Sequence, residues 1–165
     1  MKEINIRDLD INAVKMISDN WALLTAGNEN GFNTMTVSWG TIGELWGKDV
    51  AIVFVRPQRY TKEFIDREGK MTLSFFGGNY KKELGLCGKV SGRDVDKMKE
   101  TGFTPVFEDG TVYIKEAEHV FILKTLAITE MTPDSFLDST IDPSCYPNKD
   151  YHKVYIAEIV KTLEK

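Results

Sequence analysis

The sequence predicts a mainly β fold, in which antiparallel strands form a closed or nearly closed barrel with short helical insertions. Strand-like segments outnumber helical ones along the 165 residues. Turn-forming residues separate many of these segments, as expected for neighbouring antiparallel strands. The helical segments are too few and too short to form a layer of their own. No linker, repeat or low-complexity stretch divides the chain, so we expect one domain over residues 1–165.

Three strands are predicted in the first part of the chain. The segments 21–26 and 33–39 flank a loop rich in glycine and asparagine, which is typical of a connection between two strands. The third segment, VAIVFV at 50–55, is short, continuous and rich in β-branched residues, as expected for a buried strand. It ends before Pro57, because proline has no backbone N–H to donate to a sheet.

Three short helices are predicted in the middle of the chain, around one strand. The first, TKEFIDRE at 61–68, stops at Gly69, and the strand KMTLSFF at 70–76 follows it. A short polar side chain ahead of a helical pattern accepts hydrogen bonds from the first free N–H groups of the helix. The other two helices on this basis are 79–88, capped by Asn79, and 94–102, capped by Asp94 and closed by Gly102.

The last third of the chain returns to strands. A turn at EDG, residues 108–110, leads into predicted strands at 111–115 and 119–131. The final strand runs from 152 to about 161, and the turn-rich segment 138–152 precedes it. We give that segment no regular structure, and it is a candidate cover for a binding site.

Composition and charge exclude several classes of protein. The net charge of −4 and the lack of a Lys/Arg-rich run argue against a nucleic-acid binder. The charged start is unlike a signal peptide, and the apolar stretch 50–55 is too short to span a membrane. Cys87 and Cys145 form no CxxC pair, which indicates free thiols in a reducing compartment. We therefore expect a soluble cytoplasmic protein without nucleic-acid or membrane partners.

The segment NTMTVSWG, residues 33–40, has an unusual division between its two faces. Side chains alternate along a strand, so one face could enter a core while the other offers only hydroxyls and a glycine. The first face carries Asn33, Met35, Val37 and Trp39, and the second carries Thr34, Thr36, Ser38 and Gly40. A smooth hydroxyl face without charge is compatible with a flat ligand and equally with a water-facing sheet.

The segment VRPQRYT, residues 55–61, lies between a buried strand and the start of a helix. Free N–H groups and the helix dipole attract anions to that position. With Arg56, Arg59 and Thr61 beside it, the segment is a candidate phosphate site. The alternative interpretation is that both arginines are solvated and pair with Glu63 or Asp66.

Motifs for self-contained catalysis are absent from the sequence. The two histidines lie outside any metal-binding spacing, so we predict no metal site, and His119 is expected to be structural. Cys87 is expected to be a buried packing residue. The loop GKVSGRD at 88–94 is either an ordinary solvated loop or a lid that brings positive charge to an anion.

Four segments in this order resemble the flavin reductase-like family, the FMN-binding split barrels that include flavoredoxins. The resemblance rests on 33–40, 55–61, TLSFF at 72–76 and SGRDVDK at 91–97, and YIAEIV at 155–160 is similar to the closing strand. It implies a Greek-key split β-barrel that forms a homodimer with FMN near the subunit interface.

The resemblance also implies which residues contact FMN. The strand at 33–40 would run beside the flavin ring, the segment at 55–61 would hold the phosphate, and the later loop would approach the flavin or its partner. Trp39 is expected either beside the ring or in the barrel core. The implied cofactor-binding residues are Asn33, Thr36, Val37, Ser38, Trp39, Arg56, Arg59, Tyr60, Thr61, Ser74, Phe75, Lys89, Ser91 and Arg93.

The function implied by the resemblance is an FMN-dependent oxidoreductase. NADH or NADPH would supply electrons, and flavin, a metal complex or a redox partner protein would accept them. Since N5 of the flavin carries this chemistry, no catalytic residue is expected. Two alternatives are a flavoredoxin-like electron carrier without nicotinamide activity and a structural barrel that has lost its cofactor. The choice of nicotinamide, the acceptor and the exchangeability of FMN stay open.

Overall fold

The computed structural model describes all residues from 1 to 165 and contains ten strands and four α-helices. The strands are β1 (Lys2–Ile4), β2 (Ala22–Asn28), β3 (Gly31–Val37), β4 (Gly40–Leu45), β5 (Lys48–Val55), β6 (Lys70–Phe75), β7 (Pro105–Glu108), β8 (Thr111–Ile114), β9 (His119–Glu130) and β10 (Lys153–Glu164). The helices are α1 (Thr61–Glu68), α2 (Lys81–Lys89), α3 (Lys97–Thr101) and α4 (Ile141–Cys145). Short 3₁₀ turns at Ile6–Asp8 and Pro133–Ser135 and a π-helical turn at Lys15–Asp19 complete the chain. None of the helices is long and apolar enough to cross a membrane.

Eight strands form one antiparallel sheet in the order β3-β2-β6-β9-β10-β5-β4, and β1 pairs with β10. The two edge strands, β3 and β4, are consecutive in the chain and are joined by Ser38 and Trp39. Six of the strands place side chains in one shared core, which includes Leu24, Met35 and Tyr155. The sheet therefore wraps around this core and leaves its split where the chain passes between β3 and β4.

A second core covers the outer face of the sheet. It contains Leu23 of β2, Leu84 and Cys87 of α2, and Phe103 just after α3. Because side chains alternate, Leu23 enters this outer core while its neighbour Leu24 enters the barrel. The hairpin of β7 and β8 forms a separate two-stranded sheet over the same face. As a result α2 is held against β2 and β3, which positions its last turn beside the split.

The predicted mainly β architecture is confirmed, and several elements have the predicted limits. Helix α1 covers the predicted residues, and Gly69 ends it in the left-handed conformation with φ of 64°. The predicted turn at 108–110 is the two-residue connection of the β7–β8 hairpin, with positive φ at Asp109 and Gly110. Cys87 is fully buried, as expected.

Three local predictions are wrong. Helix α2 begins at Lys81 and not at 79, and the side chain of Asn79 bonds to Glu118 instead of capping the helix. Helix α3 is shorter than 94–102, because Asp96 and not Asp94 accepts the N–H groups of its first turn. Strand β3 ends at Val37, so the alternation predicted through residue 40 stops before Trp39.

The sequence pattern does not reveal β1, β4, β7 or α4. In β4 the residues Gly40 and Gly43 resemble turn formers, yet the strand pairs along its whole length with β5. Close approach explains the first glycine, since a Cβ atom at Gly40 would lie 2.9 Å from the carbonyl oxygen of Ile52. Tertiary pairing thus overrides a weak local preference for strand.

Candidate functional site

Six of the predicted binding residues lie around a cavity at the end of β3. This main cavity has a volume of about 220 Å³. Four parts of the chain meet there, namely the end of β3, the end of β5, the last turn of α2 and the residue before β10. Its lining consists of Met35, Thr36, Val37, Ser38, Trp39, Phe54, Arg56, Arg59, Gly88 and His152.

A second, smaller cavity of about 150 Å³ adjoins the main cavity and shares Met35 and Arg59 with it. This cationic cavity lies between the start of α1 and the loop that follows α2. Its other lining residues are Asn33, Gln58, Tyr60, Thr61, Lys89, Val90, Ser91, Gly92 and Lys97. The linings of the two cavities contain all of the predicted binding residues except Ser74, Phe75 and Arg93.

The hydroxyl face of β3 packs against protein. Thr34 is buried and its hydroxyl lies 2.8 Å from that of Thr25 on β2. The hydroxyl of Thr36 donates to the carbonyl oxygen of Leu84 in α2. Small hydroxyl residues are needed here because they let the helix approach the strand closely, and the last turn of α2 thereby reaches the main cavity.

Gly88 and Gly92 allow the segment at residues 88–92 to lie close to β3. A Cβ atom at Gly88 would lie 3.3 Å from Cβ of Thr36, which is tighter than an ordinary contact. A Cβ atom at Gly92 would lie 1.8 Å from Oδ1 of Asn33, whose side chain is buried and donates to the hydroxyl of Thr61 at 2.8 Å. The loop from 88 to 92 can therefore approach the strand only with these glycines.

Arg59 lies at the boundary of the two cavities. Its guanidinium donates to the carbonyl oxygens of Gly88 at 2.6 Å and Cys87 at 3.5 Å, and no carboxylate pairs with it. Burial lowers the pKa of this group. The predicted alternative pairing with Glu63 or Asp66 does not occur, because Arg93 pairs with Glu63 and Lys62 pairs with Asp66.

Lys97 is a second cation in the cationic cavity and, unlike the half-buried Arg59, it is buried. It is absent from the predicted residues. Its ammonium group donates to the carbonyl oxygens of Thr34 at 2.7 Å and Cys87 at 2.8 Å. A lysine carries three N–H donors, so one remains without a protein partner. Burial, and after it the charge of Arg59, lowers the pKa of Lys97 to about 8. Sequence reasoning missed it because a lysine in a charged segment is usually solvated.

The guanidinium of Arg56, which the sequence predicts at a phosphate, already has partners in the protein. It forms an ion pair of 2.5 Å with Asp150 and donates to the carbonyl oxygen of Cys145 at 2.8 Å. Its guanidinium also lies 5.1 Å from the centre of the Tyr146 ring. Hydrogen bonds from Gln58 and Arg56 hold the pKa of Asp150 below its usual value. Arg56 therefore anchors the segment that precedes β10.

That anchored segment brings His152 into the lining of the main cavity. The imidazole is 7% exposed, and its Nδ1 lies 2.8 Å from the hydroxyl of Tyr146. The ring lies beside Trp39, with centroids 5.4 Å apart, and meets Phe54 edge-on at 6.2 Å. The sequence offers only a lone histidine after a turn-rich segment, which gave no signal for this role.

The remaining predicted residues fall into two groups. Tyr60 and Thr61 lie at the start of α1 in the cationic cavity, and opposite them are Lys89, the last residue of α2, and Ser91 in the loop that follows. Arg93 lies outside both cavities, with its guanidinium paired to Glu63 and 4.4 Å from the Tyr60 ring.

Ser74 and Phe75 are not brought into the site. Both are fully buried in β6, where the Ser74 hydroxyl accepts a hydrogen bond from the N–H of Ile114 and Phe75 packs against Phe121. Both side chains therefore contribute to packing inside the protein and do not line either cavity.

The two cavities offer different chemistry to one elongated ligand. The main cavity has aromatic walls from Trp39, Phe54 and His152, which suit a flat ring. The cationic cavity holds Arg59 and Lys97 without a carboxylate and is lined by hydroxyl and amide side chains, which suit an anion. The arrangement therefore fits an aromatic ring joined to a phosphate by a short chain.

The chain matches a known protein family over most of its length. The family model for the flavin reductase like domain matches residues 15–163. The comparison with curated protein sequences finds no matching protein.

Solved structures share the fold at low sequence identity. Flavoredoxin from Methanosarcina acetivorans is 21% identical with a TM-score of 0.68, over 100% of this chain and 75% of that chain. A split-barrel protein from Shewanella frigidimarina NCIMB 400 is 17% identical with a TM-score of 0.69, over 98% and 75%. The FMN-binding domain of a flavin reductases-like enzyme from Shewanella baltica OS155 is 14% identical with a TM-score of 0.67, over 98% and 75%. The predicted split barrel is confirmed.

Proposed function

Because the chain belongs to the flavin reductase-like family, we propose that it binds FMN and passes electrons from NADH or NADPH through it to a further acceptor. The acceptor is a free flavin, another small molecule or a redox partner protein. FMN when bound supplies a ring that takes up a hydride at N5 and releases electrons singly or in pairs. The chain itself binds and orients this ring, so a catalytic acid–base pair is not required.

The observation that carries the proposal is that two cations, the buried Lys97 and the half-buried Arg59, share one cavity without a carboxylate. Buried charges are costly unless they are paired, and neighbouring cations raise that cost. A phosphate would relieve it by accepting hydrogen bonds from both groups and from the hydroxyls nearby. The cationic cavity is therefore assigned to the phosphate of FMN.

The main cavity is assigned to the flavin ring. Trp39 is 49% exposed and lies at its edge, and Val37 and Ser38 line it with Trp39. His152 packs beside Trp39, and Phe54 meets His152 edge-on, so these three rings line the cavity together. Flat aromatic walls stabilise a stacked ring, and the narrow distance between β3 and α2 excludes water from one side of it.

A titration with flavin and nicotinamide tests the proposal. Purified protein is mixed with FMN under anaerobic conditions, unbound flavin is removed, and the visible spectrum is recorded before and after addition of NADH or NADPH. We expect bound yellow flavin that bleaches within seconds, much faster than free FMN under the same conditions. A protein that retains no flavin contradicts the proposal.

The same experiment separates a second candidate function, that of an electron carrier without nicotinamide activity. The structural similarity to a flavoredoxin favours this candidate. It predicts bound flavin that is inert to both nicotinamides and is reduced by dithionite. Both functions use the same two cavities, so the site assignments do not depend on the choice between them.

The working form is proposed to be a homodimer in the cytoplasm. A groove of about 420 Å³ shares Ser38 and Trp39 with the main cavity, and its apolar lining residues are Val14, Ile17, Trp21 and Trp39. Val14 is 76% exposed. A second copy placed over this groove would cover both Val14 and Trp39 and would shield the flavin from solvent.

A further inference from the structure

The imidazole of His152 has a fixed hydrogen-bonding state because of Tyr146. The Tyr146 hydroxyl belongs to a residue that is 4% exposed, and its single hydrogen-bond partner is Nδ1 of His152, at 2.8 Å. A buried hydroxyl that fails to donate loses a hydrogen bond at considerable cost. The hydroxyl therefore donates, and Nδ1 accepts.

The proton of the neutral ring is consequently on Nε2. Burial, and after it the charge of Arg56, lowers the pKa of His152 to about 4, while Asp150 opposes this change. The ring is thus neutral above about pH 5, with one N–H donor. Nε2 has no hydrogen-bond partner in the protein. This atom is not fully buried, so water can reach it.

Packing leaves the ring little freedom to turn. Trp39 and Phe54 contact two sides of it, and the cation of Arg56 lies over Tyr146 behind it. Arg56 in turn holds the backbone on both sides of Tyr146 through Cys145 and Asp150. These contacts place a neutral N–H donor in the wall of an aromatic cavity whose other polar side chains are two arginines and two hydroxyl residues.

We propose that His152 donates a hydrogen bond from Nε2 to an acceptor on the edge of the aromatic ligand in the main cavity, and that Tyr146 is the positioning residue that fixes this tautomer. The inference rests on the proposed function for the identity of the ligand, which is then FMN. A flavin ring carries carbonyl oxygens and ring nitrogens along its edge that can accept the bond. Such a bond strengthens as the ring gains electrons, so it favours the reduced form.

The first test measures the tautomer in protein without added flavin. Nitrogen-15 NMR of the histidine side chains is expected to show His152 protonated on Nε2 between pH 6 and 8. In Tyr146→Phe, which removes only the hydroxyl, the fraction of rings protonated on Nε2 is expected to fall toward that of a free neutral histidine. A ring protonated on Nδ1 in the wild type, or an unchanged tautomer in the variant, contradicts the proposal.

The second test measures FMN binding in variants that retain the wild-type melting curve. His152→Phe is expected to weaken FMN binding about 3- to 10-fold, as loss of one hydrogen bond predicts. It also lowers the midpoint potential of bound FMN, and His152→Gln, which keeps an N–H donor, recovers part of both losses. His119→Gln is the matched control, because His119 lies away from both cavities beside Glu164.

The two tests separate the inference from the proposed function. If the wild type fails to bind FMN, the proposed function is wrong, and the tautomer measurement alone decides whether His152 presents a donor. If the wild type binds FMN and His152→Phe binds it equally well with an unchanged potential, the inference is wrong and the proposed function stands.

Discussion

Arg56 and Arg59 are three positions apart, and the sequence gives both the same interpretation, yet their surroundings differ. Arg56 is paired with Asp150 and holds a backbone segment. Arg59 touches only carbonyl oxygens and faces both cavities. Of the two arginines near the helix start, one is therefore a structural anchor and the other is the residue that we propose binds an anion.

Replacing Arg59 separates phosphate binding from ring binding. Arg59→Ala is expected to raise the Kd for FMN about 10- to 100-fold, since charge-assisted bonds to phosphate are lost. The Kd for riboflavin, which lacks the phosphate, should change less than about threefold. Titration of both ligands by fluorescence measures this, with the exposed Arg67→Ala as a control. Equal losses for the two ligands would place Arg59 away from the phosphate.

The pH dependence of binding reports on Lys97. Its pKa is lowered to about 8 in the free protein, and a bound phosphate raises it again by favouring the charged form. FMN affinity is therefore full below pH 8 and falls above it, by up to about tenfold per pH unit. Burial also raises the pKa of the Cys87 thiol, which lies close enough to Lys97 and Arg59 to interact with their charges. Titrations between pH 7 and 9.5 measure the effect.

Riboflavin and Lys97→Met serve as controls for that titration. Riboflavin affinity should be flat over the same pH range, because it has no phosphate to interact with the ammonium group. Lys97→Met should bind FMN more weakly and without the decline above pH 8. A decline that persists in the variant would mean that another group causes it.

At the level of elements, the sequence predicts what local patterns determine. Helix α1 follows from a helical pattern closed by Gly69, and β5 follows from a run of β-branched residues. Strand β4 is held by pairing with β5, and α4 lies in the turn-rich segment, so neither has a local signal. The cap at Asp96 was missed because Asp94 precedes it with the same chemistry.

The segment from α4 to β10 depends on Arg56 for its position. Arg56→Ala removes the bonds to Cys145 and Asp150 and should increase amide hydrogen exchange over residues 141–151 by about tenfold or more. Exchange in the centre of β5 should not change. Arg7→Ala, which removes the ion pair with Asp49 elsewhere on the surface, is the control. Unchanged exchange over 141–151 would contradict the anchoring role.

At the level of the whole molecule, the binding site is assembled by the barrel and not by any one segment. The ion pair of Arg56 and Asp150 joins positions that are far apart in the sequence, and His152 reaches the cavity only because β10 pairs with β5. The order of motifs predicts the fold and the regions near a ligand. It does not predict register, so the sequence does not single out Lys97 or His152, and Ser74 and Phe75, which it predicts near FMN, lie in β6 outside both cavities.

The oligomeric state tests the proposed interface over Val14 and Trp39. Sedimentation velocity should give a species of twice the 18.7 kDa chain mass. Val14→Glu should shift it toward the monomer, because a buried charge without a partner is costly. Leu137→Glu alters an equally apolar and fully exposed residue outside the groove and should leave the dimer intact. A wild-type monomer at all concentrations would contradict the proposal.

A crystal structure with FMN bound tests both site assignments at once. We expect the flavin ring in the main cavity against Trp39, and the phosphate in the cationic cavity within hydrogen-bonding distance of Arg59 and Lys97. A flavin bound elsewhere on the protein, or one whose phosphate lies in solvent while Arg59 and Lys97 keep only their carbonyl partners, would contradict these assignments.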